Sequence, residues 1–245
     1  MPLRALAPLL ALALVAAAPK PAAKPKPAFK PSAPRTVSFK TADGWTIAGT
    51  WRPAQLGRAT VVLAHGVAAS RQEWEVFATR LAAKGVGTLT IDLRGHGGSA
   101  AGPRGEVGFA SFDGMGAWPR AVEDLRAAAW WLTTQGVPRA RVAFGGASIG
   151  ANLASVAAIG SGPQPFLLLL SPADDYRGVR LTADKSVKTL AAASLTDGRA
   201  LLAVRSLETA AGAKVVTVAR GHGVQIFDDA AALDDIVAWT VEAAK

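Results

Sequence analysis

The sequence of 245 residues has no cysteine, one tyrosine, two methionines and only three histidines. Without cysteine no disulfide can form and no N-terminal cysteine can carry a lipid, so the fold must rest on burial, which a chain of this length can supply in one core. Long apolar runs are also missing. The stretch Leu9 to Val15 falls well short of the roughly 20 residues that a membrane span requires. Acidic residues are absent from the first 40 positions, where seven basic residues stand alone, leaving 20 basic against 18 acidic residues from position 41 onward. The formal charge of +9 is therefore mostly a property of the N-terminal segment. With a nearly neutral remainder and no nucleic-acid-binding motif, no nucleic-acid partner is expected.

What is present begins with the layout of a secretory signal: Arg4, a short apolar stretch, then Ala16-Ala17-Ala18, after which cleavage is expected. An uncleaved anchor is the alternative. Residues 19–35 hold six prolines and four lysines and read as an extended linker, with weak contact to an anionic envelope as its functional alternative to a solvated spacer. The expected location is thus outside the cytoplasm, periplasmic or extracellular.

From residue 36 to 245 the pattern is that of one α/β domain. Thr36 to Lys40 and Trp45 to Trp51 flank the turn sequence Ala42-Asp43-Gly44 and predict an antiparallel edge hairpin. Short apolar runs at Thr60–Ala64, Thr88–Ile91, Arg141–Phe144, Phe166–Leu170, Thr189–Ala193 and Val215–Val218 read as buried parallel strands. Helical spacing runs through Glu73–Lys84, Pro119–Gln135, Ile149–Ala158, Arg199–Ala211 and Asp229–Ala244. The alternation implies a doubly wound, mostly parallel sheet, whose ligands bind at the carboxyl ends of the strands. All three histidines fall in glycine-containing loops directly after such strands: His65-Gly66, Arg94-Gly95-His96-Gly97-Gly98-Ser99 and Gly221-His222-Gly223. In the helix over 119–135, Glu123 and Asp124 read as a solvated face, and at least one of Trp130 and Trp131 should face the sheet.

Gly146-Ala147-Ser148-Ile149-Gly150 places G-x-S-x-G at a strand-to-helix junction. The glycines permit a sharp turn that holds Ser148 over the sheet edge, while the free N–H groups of the following helix suit an oxyanion. A serine that merely caps the helix is the simpler reading of the motif alone. A carboxylate and a histidine follow in order, Asp197 after one late strand and His222 after the next. A helix cap is the simpler alternative for Asp197, and Asp174 and Asp175 are the alternative acids.

Taken together, these segments resemble those of the α/β-hydrolases, in particular small bacterial serine hydrolases related to dienelactone hydrolase and to acyl-peptidase catalytic domains. The resemblance runs from about Thr36 to Lys245 and rests on His65-Gly66, Asp92-Leu93-Arg94-Gly95-His96-Gly97-Gly98-Ser99, Gly146 to Gly150, Asp197 and Gly221-His222-Gly223. It implies Ser148 as nucleophile, His222 as general base, Asp197 as the orienting acid, and the backbone N–H groups of Val67 and Ile149 as the oxyanion hole. It gives His96 a structural role near the site. Only Ser171 to Val187 separate two late strands, so no large lid is expected. The nucleophile is serine where dienelactone hydrolase itself has cysteine. The implied activity is hydrolysis of a small ester or acyl compound, with peptidase, thioesterase and a non-catalytic envelope-binding module as alternatives. Neither a cofactor nor a metal is called for, because histidines on separate loops without a carboxylate cluster make a poor metal site.

Overall fold

The computed structural model describes residues 29–245; the expected signal segment and most of the linker lie outside them. The first two strands, β1 (Arg35–Lys40) and β2 (Thr46–Arg52), pair antiparallel, with Thr36 opposite Thr50, across the turn at Asp43-Gly44. Then come β3 (Thr60–Ala64), helix α1 (Glu75–Ala83) and β4 (Gly87–Ile91). β2 pairs antiparallel with β4, and β3 pairs parallel with β4 on one side and with β7 (Val142–Ala147) on the other.

Between β4 and β7 the chain forms a two-residue-per-strand hairpin, β5 (Ala101–Gly102) with β6 (Gly105–Glu106), the short helix α2 (Phe112–Met115) and the long helix α3 (Val122–Thr134). The hairpin and α2 have no counterpart in the sequence reading, since elements of two to four residues leave no periodic signal. After β7 follow α4 (Ile149–Ala158), β8 (Leu167–Leu170), a second small hairpin of β9 (Asp175–Tyr176) and β10 (Val179–Arg180), β11 (Thr189–Ser194), α5 (Gly198–Ala211), β12 (Lys214–Val218) and α6 (Ala230–Ala243).

The main sheet has eight strands in the order β1-β2-β4-β3-β7-β8-β11-β12. Its central strands are apolar throughout, TVVLA in β3 and LLLL in β8, and every residue of both is buried. That follows from parallel pairing with helices on each face, which leaves no solvated side to alternate toward. One layer of core carries α3, α4 and α5, with Leu125, Leu132, Leu153 and Val204 buried in it. The other carries α1 and α6, with Phe77, Leu81, Leu233 and Ile236. Trp131 packs on Phe39 and Trp51 at ring separations of 5.7 and 5.1 Å, while its neighbour Trp130 is exposed.

The order β4-β3-β7 decides where chemistry can happen. The chain leaves β3 toward β4 on one side and later adds β7 on the other, so the crossovers diverge and open a crevice at the carboxyl ends of β3 and β7. His65-Gly66-Val67 follows β3 and Ser148 follows β7 at that crevice.

One expectation is overturned. Asp124 is not on a solvated face: it is fully buried, and its carboxylate accepts from Arg94 Nε at 2.9 Å, Arg94 Nη2 at 2.7 Å and the Arg94 backbone N–H at 2.8 Å. Arg94 also donates to Asp43 at 2.7 Å, tying the edge hairpin to the loop after β4. Burial pushes the Asp124 carboxyl up to about 6, against the Arg94 guanidinium that pulls it down. Helical periodicity could not foresee this, because it ranks a charged residue as outward-facing unless its partner is known. Glu123 does lie on the outer side, partly exposed and paired with Arg126.

Candidate active site

Ser148 sits between β7 and α4 with φ 56° and ψ −124°, a backbone conformation that costs energy for a side chain with a Cβ and that concentrates at functional turns. The turn closes only because glycine flanks it. A Cβ on Gly146 would overlap the Gly150 carbonyl, and one on Gly150 would overlap the carbonyls of Ala64 and His65. Both clashes are with backbone, which has nowhere to go. The Ser148 N–H donates to Leu170 O at 2.8 Å, tying the turn to the end of β8. Its hydroxyl has no hydrogen-bond partner among the described residues.

His222 follows β12, and its Nδ1 lies 2.6 Å from Asp197 Oδ2. A carboxylate only accepts, so Nδ1 carries a proton, and in the neutral ring Nε2 then holds the lone pair. Asp197 does two jobs at once: its other oxygen accepts from Ala200 N at 3.4 Å and caps α5. Asp175 faces the same cavity, but its Oδ1 accepts from Gly178 N at 2.8 Å within its own hairpin, and neither it nor Asp174 bonds His222. The structure thus joins Asp197 to His222 and sets Gly223 against the serine turn, where a Cβ on Gly223 would stand 3.3 Å from Ala147 Cβ. It does not place His222 in hydrogen-bond contact with Ser148.

Three residues outside the sequence reading hold the histidine loop. Ser194 Oγ donates to Gly221 O at 2.7 Å, Ser171 Oγ accepts from Gly223 N at 2.9 Å, and Gln225 Oε1 accepts from His222 N at 3.1 Å. Ser194 ends β11 and Ser171 follows β8, so both stand on the carboxyl edge where the other site residues cluster. Their position was the available signal.

Across the crevice, the N–H groups of Val67 and Ile149 donate to no group among the described residues. The loop that carries Val67 is locked from below. His65 is fully buried, its Nδ1 donates to Gly66 O at 2.6 Å and its Nε2 accepts from Leu93 N at 3.0 Å. Burial pulls its pKa down to about 4, so it stays neutral and structural. His96 is likewise buried, bonded to Arg94 O at 2.9 Å and stacked on Phe109, with its pKa lowered by burial. Neither competes as a base.

Glu73 was not singled out by sequence. Its Oε1 accepts from Gly66 N at 3.1 Å, one residue before the Val67 donor, and burial raises its pKa to about 7. A carboxyl with a folded pKa above its unfolded value binds a proton more tightly in the fold. Its stabilising contribution is complete below the unfolded value near 4.5 and is lost as the pH rises through about 7. Glu73→Gln, neutral at every pH, should therefore flatten the fall in thermal midpoint between pH 5 and 8, which scanning calorimetry at a series of pH values would detect.

Asp197, His222 and Ser171 open onto a cavity of about 520 Å³ whose far wall is the β9–β10 hairpin. Asn152 of α4 anchors that hairpin, donating to Ala173 O at 2.6 Å and Val179 O at 2.8 Å. The volume suits a small organic molecule.

A sharp serine turn at a switch point of a mostly parallel sheet, with an imidazole–carboxylate pair delivered by the last two strand ends, defines the α/β-hydrolase fold. Residues 56–197 match the family described as serine aminopeptidase, S33 (Hydrolase_4), and the chain belongs to that family, a class of serine-hydrolase-type enzymes. Two uncharacterized proteins of Mycobacterium tuberculosis, from strains CDC 1551 / Oshkosh and H37Rv, are each 34% identical to it over 143 residues, 57% of this chain and 46% of theirs. The chain spans about half the length of these curated relatives. Among solved structures it is similar to a dienelactone hydrolase from Anabaena variabilis, with a TM-score of 0.64 and 18% identity over 87% of this chain and 97% of that one. It is also similar to a thermostable carboxylesterase cloned from a metagenomic library, with a TM-score of 0.63 and 20% identity over 88% and 90%. At these identities the likeness is one of fold.

Proposed function

We propose that this chain is an exported serine hydrolase that cleaves carboxylic esters through an acyl-enzyme on Ser148. The observation that carries the reading is the His222–Asp197 pair at 2.6 Å, on a loop whose Gly223 packs against the turn that holds Ser148 at φ 56°. With Nδ1 engaged by Asp197, Nε2 is the free base. It takes the Ser148 proton as Oγ attacks the acyl carbon, then returns it to the departing alcohol, and water repeats the sequence to release the acid. The N–H groups of Val67 and Ile149 receive the oxyanion, each worth roughly 3–4 kcal/mol of transition-state stabilisation. The imidazole, whose side chain is 46% exposed, closes on Ser148 when substrate displaces water, as catalytic contacts often tighten only in the bound complex.

Labelling of the purified protein with a fluorophosphonate probe tests this. The label is expected at Ser148, absent in Ser148→Ala and strongly slowed in His222→Ala. Well-folded protein that takes no label points instead to a non-catalytic binding module. The family description favours amide substrates as a second reading. Matched 4-nitrophenyl ester and 4-nitroanilide substrates separate the two by kcat/KM. Export predicts that secreted material begins at Pro19, which N-terminal sequencing reads directly.

A further inference from the structure

Two arginines line the cavity that holds His222, and each stands where its own backbone surroundings disfavour it. Arg177 and Gly178 are the two turn residues of the β9–β10 hairpin, with Tyr176 paired to Val179, and both have positive φ, 53° and 82°. This is the turn geometry that selects Asn-Gly or Asp-Gly, because a longer side chain in the left-handed region crowds the following carbonyl. Arg199 is the second residue of α5. There the unpaired N–H groups and positive dipole end of the helix favour an acid and repel a guanidinium.

Two independent local conflicts that meet at one cavity are what a functional demand on those positions would leave behind. Pairing of the charged groups inside the cavity leaves one guanidinium without a partner among the described residues. Asp113 is held by Arg177 and by Trp118 Nε1 at 2.8 Å, Asp197 by His222, and Asp175 by the Gly178 N–H at 2.8 Å. Asp113 and Asp197 are thus each engaged by a cationic or imidazole side chain, whereas Asp175 has no cationic partner among the described residues and accepts only a backbone N–H. Arg177 is braced from behind, on Asp113 and with its guanidinium 5.6 Å from the Trp118 ring centroid. Arg199 has no hydrogen bond and no ion pair among the described residues and is exposed into the cavity.

Building on the hydrolase reading above, we infer that Arg199 and Arg177 form an anion-binding end of the substrate cavity, so that the preferred substrates are esters bearing a carboxylate on the part remote from the scissile bond. Arg199 meets the anion and Arg177, positioned by Asp113 and Trp118, supplies the second donor set. A forked guanidinium suits a carboxylate better than an ammonium does.

The test compares two esters of equal chain length, the 4-nitrophenyl monoester of adipic acid and 4-nitrophenyl hexanoate. The native protein should favour the anionic ester in kcat/KM by about tenfold, the low end for a charge-assisted contact at an open site. Arg199→Gln should reduce that preference about tenfold through KM. Arg177→Asn, which installs the Asn-Gly pair that the turn prefers, should reduce it as well while the thermal midpoint is held or raised, a combination that a purely structural arginine would not give. A preference near unity in the native protein, or one unmoved in both variants, overturns the inference and leaves the esterase reading standing if neutral ester turnover still needs Ser148. Failure to hydrolyse either ester would count against the esterase reading instead, and the subsite is then decided by binding. Titration of monomethyl adipate into Ser148→Ala protein should show affinity about tenfold weaker once Arg199→Gln is added, and equal affinities overturn the subsite.

Discussion

Asp197→Asn is expected to lower kcat about ten-thousand-fold while leaving the fold intact. The two consequences separate because the two oxygens of Asp197 have different partners. Oδ1 accepts from Ala200 N and caps α5, and an asparagine carbonyl can do the same. Oδ2 faces His222 Nδ1 at 2.6 Å, and an amide nitrogen placed there donates where the carboxylate accepts. The imidazole must then move its proton to Nε2 to accept from the amide, which removes the lone pair that Ser148 requires. The imidazolium formed during attack also loses its counter-charge. Steady-state kinetics on a 4-nitrophenyl ester, with a thermal melt on the same preparation, reads both effects. A loss below about tenfold with an unchanged melting curve would mean that Asp197 is a helix cap and no more.

The largest expected effect on stability comes from the opposite side of the switch point. Asp124→Ala should destabilise the protein by about 3–5 kcal/mol, because it leaves Arg94 buried with its principal acceptor removed. At the entropy of unfolding usual for a domain of this size, that corresponds to a fall in thermal midpoint of roughly 6–20 °C. The cause is desolvation. Arg94 has a side chain only 3% exposed, and its pKa is held up by the Asp124 carboxylate against burial that would lower it. Asp43, 34% exposed, can satisfy only the outer part of the guanidinium. The double variant Arg94→Met with Asp124→Leu should be markedly more stable than Asp124→Ala, since it removes the stranded charge as well as the pair. Urea unfolding of the three proteins measures this, and equal midpoints for the single variant and the native protein would show that water reaches Arg94.

Much of the architecture is legible in one dimension for a plain reason. Parallel strands covered on both faces must be apolar at every position, so TVVLA at 60–64 and the run ending in Leu170 announce themselves. The five long helices follow from helical spacing, with two of them opening in a 3-10 turn, at Arg71–Trp74 and Trp118–Ala121, that periodicity does not resolve. The serine turn was readable because Gly146 and Gly150 leave a sequence mark wherever two backbones must nearly touch.

What sequence by itself determined, then, was the layered α/β sheet, the position of Ser148 on a strand-to-helix turn, and the set of polar residues at the strand ends. Tertiary structure alone decided which of those residues meet. It chose Asp197 over Asp174 and Asp175 as the partner of His222, buried Asp124 on Arg94, set Glu73 under the Gly66 N–H, and turned Arg177 and Arg199 into one cavity. Periodicity reports which face of its own element a residue occupies, whereas a charged pair depends on a distance between elements far apart in the chain. Arg94 and Asp124 are 30 residues apart, His222 and Asp197 are 25 apart, and no local pattern encodes that they will touch.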